Sequence, residues 1–191
     1  MEASRAFGAV LVEAALLCVV LPALACGRRR RALAVLAGCL GLGGAASWLV
    51  SGGRIPLTAL AAAQGVLLAF GVFVLGLGRL AGGRTGPGFA VVASLVGLAL
   101  LASPFLADPF LEDRHGRVRP VLRDAALGLN PLGAVASRAV LGVDWLRAPR
   151  MYRAVKLGPF HAYRYPSPWV QAPVFFLAGA GLLLLCRGRM E

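Results

Sequence analysis

The amino-acid sequence predicts an all-α protein, built as a polytopic transmembrane helix bundle. Apolar residues make up 59% of the 191 residues, only 15% are charged, and the mean hydropathy is +0.77. Soluble domains are less apolar, and about a quarter of their residues are charged. The apolar residues are also gathered into five long stretches, separated by short breaks that contain Arg, Gly and Pro. The chain is therefore predicted to be a single integral membrane domain over residues 1–191.

Each apolar stretch is long enough to cross a bilayer, because a helix needs about 20 mostly apolar residues to do so. Lipid offers no partners to backbone polar groups, so a spanning segment must be a helix or part of a closed barrel. Barrel strands alternate in polarity, whereas these stretches are apolar on every side and predict helices. Pro22 and Pro104 predict kinks in the first and fourth spans. The five predicted spans are residues 7–26, 32–50, 57–78, 89–107 and 169–186.

The first stretch has an alternative interpretation as a cleaved secretory signal. The tripeptide Ala23-Leu24-Ala25 has the small-x-small form of a cleavage site. However, Glu13 interrupts the apolar run, and the four arginines at residues 28–31 would have to be translocated directly after cleavage. We therefore expect a retained first helix.

The arginines in the short breaks predict the orientation of the helices. Cytoplasmic loops carry an excess of Lys and Arg close to the helix ends. The four arginines at residues 28–31 are the strongest such signal, and placing them inside puts the amino terminus outside and the carboxyl terminus in the cytoplasm. The bias toward Ala, Gly, Leu and Arg, with Lys156 as the one lysine, is typical of a GC-rich bacterial genome. We therefore expect a bacterial cytoplasmic (inner) membrane.

The long segment between the fourth and fifth spans, residues 108–168, carries ten basic and five acidic residues. Pro120 begins a run of apolar residues at helical spacing, and Asn130 and Pro131 predict the N-cap and first turn of a second short helix that ends near residue 141. We expect two amphipathic helices that lie at the membrane interface or on the bundle. The alternative is that residues 127–143 span or re-enter the membrane.

Two polar residues inside the predicted spans are the first candidates for a functional site. A carboxyl group in an apolar span is costly, so it usually faces the bundle interior and has a partner. Glu13 lies roughly 9 Å below the outer end of the first span, and Gln64 lies at a comparable depth in the third. We therefore predict a hydrogen bond between them. It could serve a proton or cation site, or it could be a polar clamp between two helices.

A basic and aromatic segment before the fifth span is the second candidate. Arginine binds phosphate bidentately, and aromatic rings mixed with Arg beside a span prefer headgroup depth. The segment is predicted to contact anionic lipid headgroups, either as an anchor or as the site of an enzyme. Its residues are Arg147, Arg150, Arg153, Lys156, His161 and Arg164.

The sequence contains no strong catalytic or ligand-binding motif. GxSG, HExxH and phosphate-binding loops are missing, and the four cysteines form no CxxC pair, so no metal and no cofactor are predicted. The net charge of +12 is concentrated in the breaks, where membrane topology explains it, so nucleic acid is not an expected partner.

These observations predict a non-catalytic subunit of a membrane complex, of the transporter or permease type. Its expected partners are anionic membrane lipids and other proteins within the membrane. The alternative is a small integral membrane enzyme that acts on a phosphate-bearing lipid headgroup.

Overall fold

The computed structural model describes residues 2–25, 29–85, 88–111, 119–147 and 163–187. These residues form helices and short loops, and no strand occurs among them. Four of the helices are long and apolar enough to cross a membrane, and one bent pair of helices would make a fifth span. The predicted all-α bundle is therefore confirmed, and its apolar helices are those expected of a multi-pass membrane protein.

The helices follow the order of the apolar stretches, with short helices between the fourth and the last. Helices α1 and α3 extend beyond the predicted stretches, because polar residues can continue a helix outside the hydrocarbon. The bounds are α1 Glu2–Ala25, α2 Arg29–Val50, α3 Leu57–Thr85, α4 Gly88–Leu101, α5 Ser103–Ala107, α6 Pro120–Gly128, α7 Pro131–Ala136 and α8 Pro168–Arg187, with 3-10 helices at Asp108–Phe110 and Trp145–Arg147.

Helix α3 lies at the centre of the bundle and packs against α1, α2, α4 and α8. Its closest approach is to α8, where a Cβ atom on Gly76 would lie 2.8 Å from the carbonyl oxygen of Gly179. Nearer the start of both helices, the rings of Phe70 and Phe175 pack edge to face with centroids 5.4 Å apart. The contacts follow the same order along α3 and α8, so these helices are parallel. Small residues at the contact are what close helix approach in a membrane requires.

Helix α1 also runs parallel to α3. Gln64 donates a hydrogen bond to Glu13, and Gly71 faces Leu21 two turns further along both helices. The short loop 51–56 joins α2 to α3, so α2 runs in the opposite direction. The starts of α1, α3 and α8 therefore lie together at one end of the bundle, which we call the capped end.

The fourth apolar stretch does not form one straight helix. Helix α4 ends at Leu101, and the next helix begins at Ser103 after the axis has turned by 75°. Pro104 lies at the start of α5, where its missing N–H costs nothing, and it cannot continue the hydrogen-bond ladder of α4. The kink predicted at Pro104 thus takes the form of a break, and residues 103–107 leave the direction of α4.

Residues 119–147, which we call the cap, pack at the capped end of the bundle. Helices α6 and α7 begin at Pro120 and Pro131, as predicted. The side-chain oxygen of Asn130 accepts a hydrogen bond from the backbone N–H of Leu132 at 2.9 Å, so Asn130 is the predicted N-cap. Trp145 fixes the end of the cap to α1, because its ring stacks on that of Phe7 with centroids 5.6 Å apart.

Helix α7 differs from the expected amphipathic helix in its length and its surroundings. All six of its residues are buried, and they pack against α3, α8, α4 and α1. The helix ends at Ala136 and not near residue 141, because Ser137 leaves the helical conformation with a ψ of 155°. Its carbonyl then accepts hydrogen bonds from Val140 and Gly142 in a turn. Six residues of helix cover only about 9 Å. The alternative that residues 127–143 span the membrane as a helix is therefore wrong, and their re-entry into the membrane stays a prediction.

Polar side chains hold the cap on the broken end of α4. Asn130 Nδ2 donates to the carbonyl of Leu101 at 2.7 Å. Ser103 Oγ lies 2.8 Å from the carbonyl oxygen of Leu100 and 2.7 Å from that of Ala126, so it can donate to either. The last carbonyls of a helix have no partner within the helix, and these side chains supply donors to two of them.

Gln171 makes the matching connection from α8. Its Nε2 donates to the carbonyls of Gly128 at 2.6 Å and Asn130 at 2.8 Å, and its Oε1 accepts from the N–H of Ala134 at 3.3 Å. One buried amide thus joins α8 to both helices of the cap.

We expect Asn130→Ala to lower the free energy of unfolding in detergent micelles by about 2–4 kcal/mol. The substitution removes an N-cap, worth about 1 kcal/mol, and leaves the buried carbonyl of Leu101 without a donor, which costs about 1–3 kcal/mol. Titration with a denaturing detergent measures the change. Val121→Ala is the control, because Val121 is 81% exposed on α6 and should lose at most about 0.5 kcal/mol. Equal losses in the two variants would contradict the role of Asn130.

Candidate functional site

Glu13 lies within α1, on the face of that helix that packs into the bundle. The residue is only 5% exposed. Its neighbours at helical spacing are also buried, so this face of α1 is apolar on either side of the carboxyl group. These neighbours are Val10, Ala14 and Leu17.

The structure brings Glu13 and Gln64 together across the contact between α1 and α3. Gln64 Nε2 donates to Glu13 Oε2 at 3.0 Å. The second oxygen of the carboxyl group, Glu13 Oε1, is buried without a hydrogen-bond partner, and so is Gln64 Oε1. The pair therefore has one hydrogen bond and two unused acceptor atoms.

Helix α2 makes room for this pair with glycines. A Cβ atom on Gly43 would lie 2.1 Å from Glu13 Cδ, and one on Gly44 would lie 3.5 Å from Gln64 Cγ. The carboxyl group thus rests against the bare backbone of α2. The sequence alone did not distinguish Gly43 from the other glycines of α2.

Ser47 adds a third polar group to the same face of α2, because it follows Gly43 by four residues and Gly44 by three. It is completely buried, and its Oγ has no hydrogen-bond partner. Ser47 was not among the predicted site residues, although a serine inside an apolar span was a visible signal.

No positive charge offsets Glu13 in the part of the chain that the structure describes. The ion pairs found there join Arg54 to Glu2 and Arg123 to Asp124. The same part contains no cluster of three or more His, Cys, Asp or Glu side chains that could hold a metal ion. What the site offers a ligand is therefore a small set of oxygen atoms, which suits a proton or a hard cation better than a soft metal.

The basic segment predicted to contact headgroups is only partly described. The Arg164 side chain is exposed and borders a cavity of about 630 Å³. Arg147 is the last residue of the second 3-10 helix. The other four residues lie outside the described part of the chain: Arg150, Arg153, Lys156 and His161.

Two tyrosines beside Arg164 form a hydrogen-bonded cluster with the cap. The hydroxyl groups of Tyr163 and Tyr165 both donate to Asp144 Oδ1, the latter at 2.9 Å. Burial raises the pKa of Tyr165 above its ordinary value, and the neighbouring Tyr163 and Asp144 raise it further. Tyr165 therefore keeps its proton at physiological pH and remains a donor to Asp144.

No protein-family model, curated protein or solved structure matches this chain. A function must therefore be inferred from the described residues themselves.

We expect Gly43→Ala to destabilise the bundle by about 1–3 kcal/mol, because the new methyl group would displace the Glu13 carboxyl group. Gly41→Ala is the matched control, since a Cβ atom there meets nothing within 4 Å. Both changes bring the same gain in helix propensity, so the difference between their unfolding free energies isolates the clash.

The same pair of variants in a Glu13→Ala background tests the contact directly. Removing the carboxyl group vacates the space, so Gly43→Ala should then cost no more than Gly41→Ala. The coupling free energy between Glu13→Ala and Gly43→Ala should be about 1 kcal/mol or more. An unchanged cost of Gly43→Ala in that background would contradict the contact.

Proposed function

We propose that this protein is a non-catalytic, permease-like subunit of a membrane transport system, in which Glu13, Gln64 and Ser47 form a site for a proton or a small monovalent cation. The observation that carries the proposal is Glu13, a carboxyl group that is 5% exposed within a helix long enough to span a membrane. Ionisable groups inside membrane helices are rare, and they commonly mark ion pathways and proton relays.

The unused oxygens favour a ligand site over a simple clamp between helices. A clamp would be expected to pair its polar atoms, since each buried unpaired group costs about 1–3 kcal/mol. Here Glu13 Oε1, Gln64 Oε1 and Ser47 Oγ all lack partners. A proton on Glu13 would add the missing donor, and a cation would draw on the same oxygen atoms.

The exposed faces of the helices support assembly with lipid and with other membrane subunits. In α2 and in α8, only 17% of the apolar 18-residue stretch that could cross a membrane is buried within this chain. Large apolar side chains such as Leu42 and Leu177, which are 76% and 68% exposed, project from these two helices. We propose that they face the acyl chains of membrane lipids and protein partners in a bacterial inner membrane.

We expect Glu13→Gln to abolish the response of the protein to its ion while leaving the fold intact, because glutamine keeps the shape and the hydrogen-bonding capacity. The measurement is the midpoint of thermal unfolding of detergent-purified protein. It is recorded at several pH values, and in NaCl or KCl against choline chloride at equal ionic strength. A bound cation present at about 100 times its dissociation constant would stabilise the wild type by about 2.7 kcal/mol.

The two kinds of ligand give different results in this experiment. At a cation site the unfolding midpoint responds to Na⁺ or K⁺, whereas at a proton site it responds to pH alone. In either case the shift of the midpoint that depends on Glu13 is lost in Glu13→Gln. Glu2→Gln is the control, since it removes an acidic group paired with Arg54 outside the buried interface. Identical responses of wild type and Glu13→Gln to both pH and cations would leave Glu13 as a clamp and contradict the proposal.

The proposed orientation places the arginines at residues 28–31 in the cytoplasm and the loop 51–56 outside. We expect a membrane-impermeant maleimide to label Pro56→Cys in intact bacterial cells, in a background without the four native cysteines. Gly27→Cys, beside the arginines, should be labelled only after the cells are lysed. The physical reason is the retention of Arg-rich loops on the cytoplasmic side. The reverse pattern would contradict this orientation.

A further inference from the structure

A cavity of about 630 Å³ lies at the capped end of the bundle, where the cap meets the chain that leads into α8. It is separate from the intramembrane site at Glu13, and six of the residues around it bear polar side chains. These are Ser137, Arg138, Asp144, Tyr163, Arg164 and Tyr165.

Ser137 gives this cavity a buried hydroxyl group with no assigned partner. The residue is 6% exposed, and its Oγ makes no hydrogen bond. Its backbone is held in place, because its carbonyl accepts from Val140 at 3.0 Å and from Gly142 at 2.8 Å. Gly142 adopts a φ of +63°, which closes this turn at the edge of the cavity. The turn thus fixes the backbone of Ser137 beside the cavity, and its buried hydroxyl group is left without a partner.

The charges around the cavity favour an anion. Arg138 and Arg164 are exposed, and neither forms an ion pair with the described residues. Asp144 is the opposing charge, but its Oδ1 already accepts hydrogen bonds from both tyrosines. The net charge of the side chains lining the cavity is therefore positive, and the carboxylate serves to hold the tyrosines in place.

The cavity also lies at the end of a helix long enough to span a membrane, where lipid headgroups are expected. It adjoins the segment that precedes Pro168, the first residue of the spanning helix α8. Tyr163, Tyr165 and Trp169 lie in or next to that segment, and tyrosine and tryptophan are enriched at membrane interfaces.

We propose that this cavity binds a phosphate-type oxyanion, held by the guanidinium groups of Arg138 and Arg164 and by the hydroxyl group of Ser137. Guanidinium groups bind phosphate oxygens bidentately, and a hydroxyl group can donate to a further oxygen. The anion is either the phosphodiester of an anionic phospholipid or a free phosphate. This inference goes beyond the proposed transport function and does not depend on Glu13.

The test is equilibrium binding of a fluorescent short-chain phosphatidylglycerol to the full-length protein in a non-ionic detergent. Arg138→Gln and Arg164→Gln should each weaken binding at least about tenfold, which corresponds to about 1.4 kcal/mol. Arg138→Lys keeps the charge but loses the bidentate geometry, so its loss should be smaller. Ser137→Ala should weaken binding by a smaller factor, because it removes a neutral donor.

Arg119→Gln is the matched control. Arg119 is an exposed arginine at the start of the cap, and it does not border the cavity. The variant removes the same charge from a position outside the cavity. Because physiological salt screens long-range attraction, this variant should bind the probe within about twofold of wild type. Thermal unfolding midpoints of all variants establish that they fold.

Competition separates the two sources of the anion. Displacement of the probe by inorganic phosphate would identify the phosphate group itself as the ligand. Displacement by unlabelled phosphatidylglycerol alone would identify the lipid, and both results support the site. Two results would overturn the site. One is an equal loss of binding in Arg119→Gln and Arg138→Gln. The other is a phosphatidylcholine probe that binds as tightly as the phosphatidylglycerol probe and whose binding Arg138→Gln does not weaken. Glu13→Gln should bind the probe as wild type does, so failure of this proposal leaves the intramembrane site untouched.

Discussion

The backbone carbonyls at the end of α4 impose the constraint on which the capped end of the molecule depends. A helix that breaks leaves its last carbonyls without partners in the helix, and lipid cannot supply them. Here the side chains of Ser103 and Asn130 reach the carbonyls of Leu100 and Leu101. Because Asn130 also caps α7, its hydrogen bond to the end of α4 fixes where α7 begins. Gln171 then joins the cap to α8, so the break, the cap and the start of the last span form one hydrogen-bonded unit.

This unit determines where the cavity lies. Helix α7 ends soon after it begins, because the backbone of Ser137 is extended, and the carbonyl of Ser137 then accepts two hydrogen bonds in the turn that follows. The chain then returns to the bundle at Trp145, whose ring packs between those of Phe7 and Phe105 at 5.6 and 6.0 Å. Asp144 is thereby placed beside the segment that enters α8, within reach of its tyrosines. The polar lining of the cavity is thus a consequence of packing at the capped end.

The sequence predicted those features that depend on one helix at a time. The apolar stretches predicted the spanning helices, and Asn130-Pro131 predicted the start of α7, because lipid thickness and helix capping are local requirements. The depths of Glu13 and Gln64 along their helices were also accessible, whereas the role of this pair stays a prediction. Gly43 and Ser47 were missed, because the face of α2 that meets α1 depends on how α2 is rotated about its axis. The burial of α7 likewise depends on four other helices.

The hydrogen bonding of the buried polar groups divides them into two kinds. Asn130 and Gln171 have their side-chain oxygen and nitrogen atoms paired, so the fold can satisfy amides even where they are almost completely buried. Within the described residues, unpaired buried side-chain atoms occur on Glu13, Ser47, Gln64, Ser137 and Trp145. The atom on Trp145 is the indole nitrogen. The others are oxygen atoms of Glu13, Gln64 and Ser47 in the bundle and of Ser137 beside the cavity, the two places where we propose that a proton or cation and an anion bind.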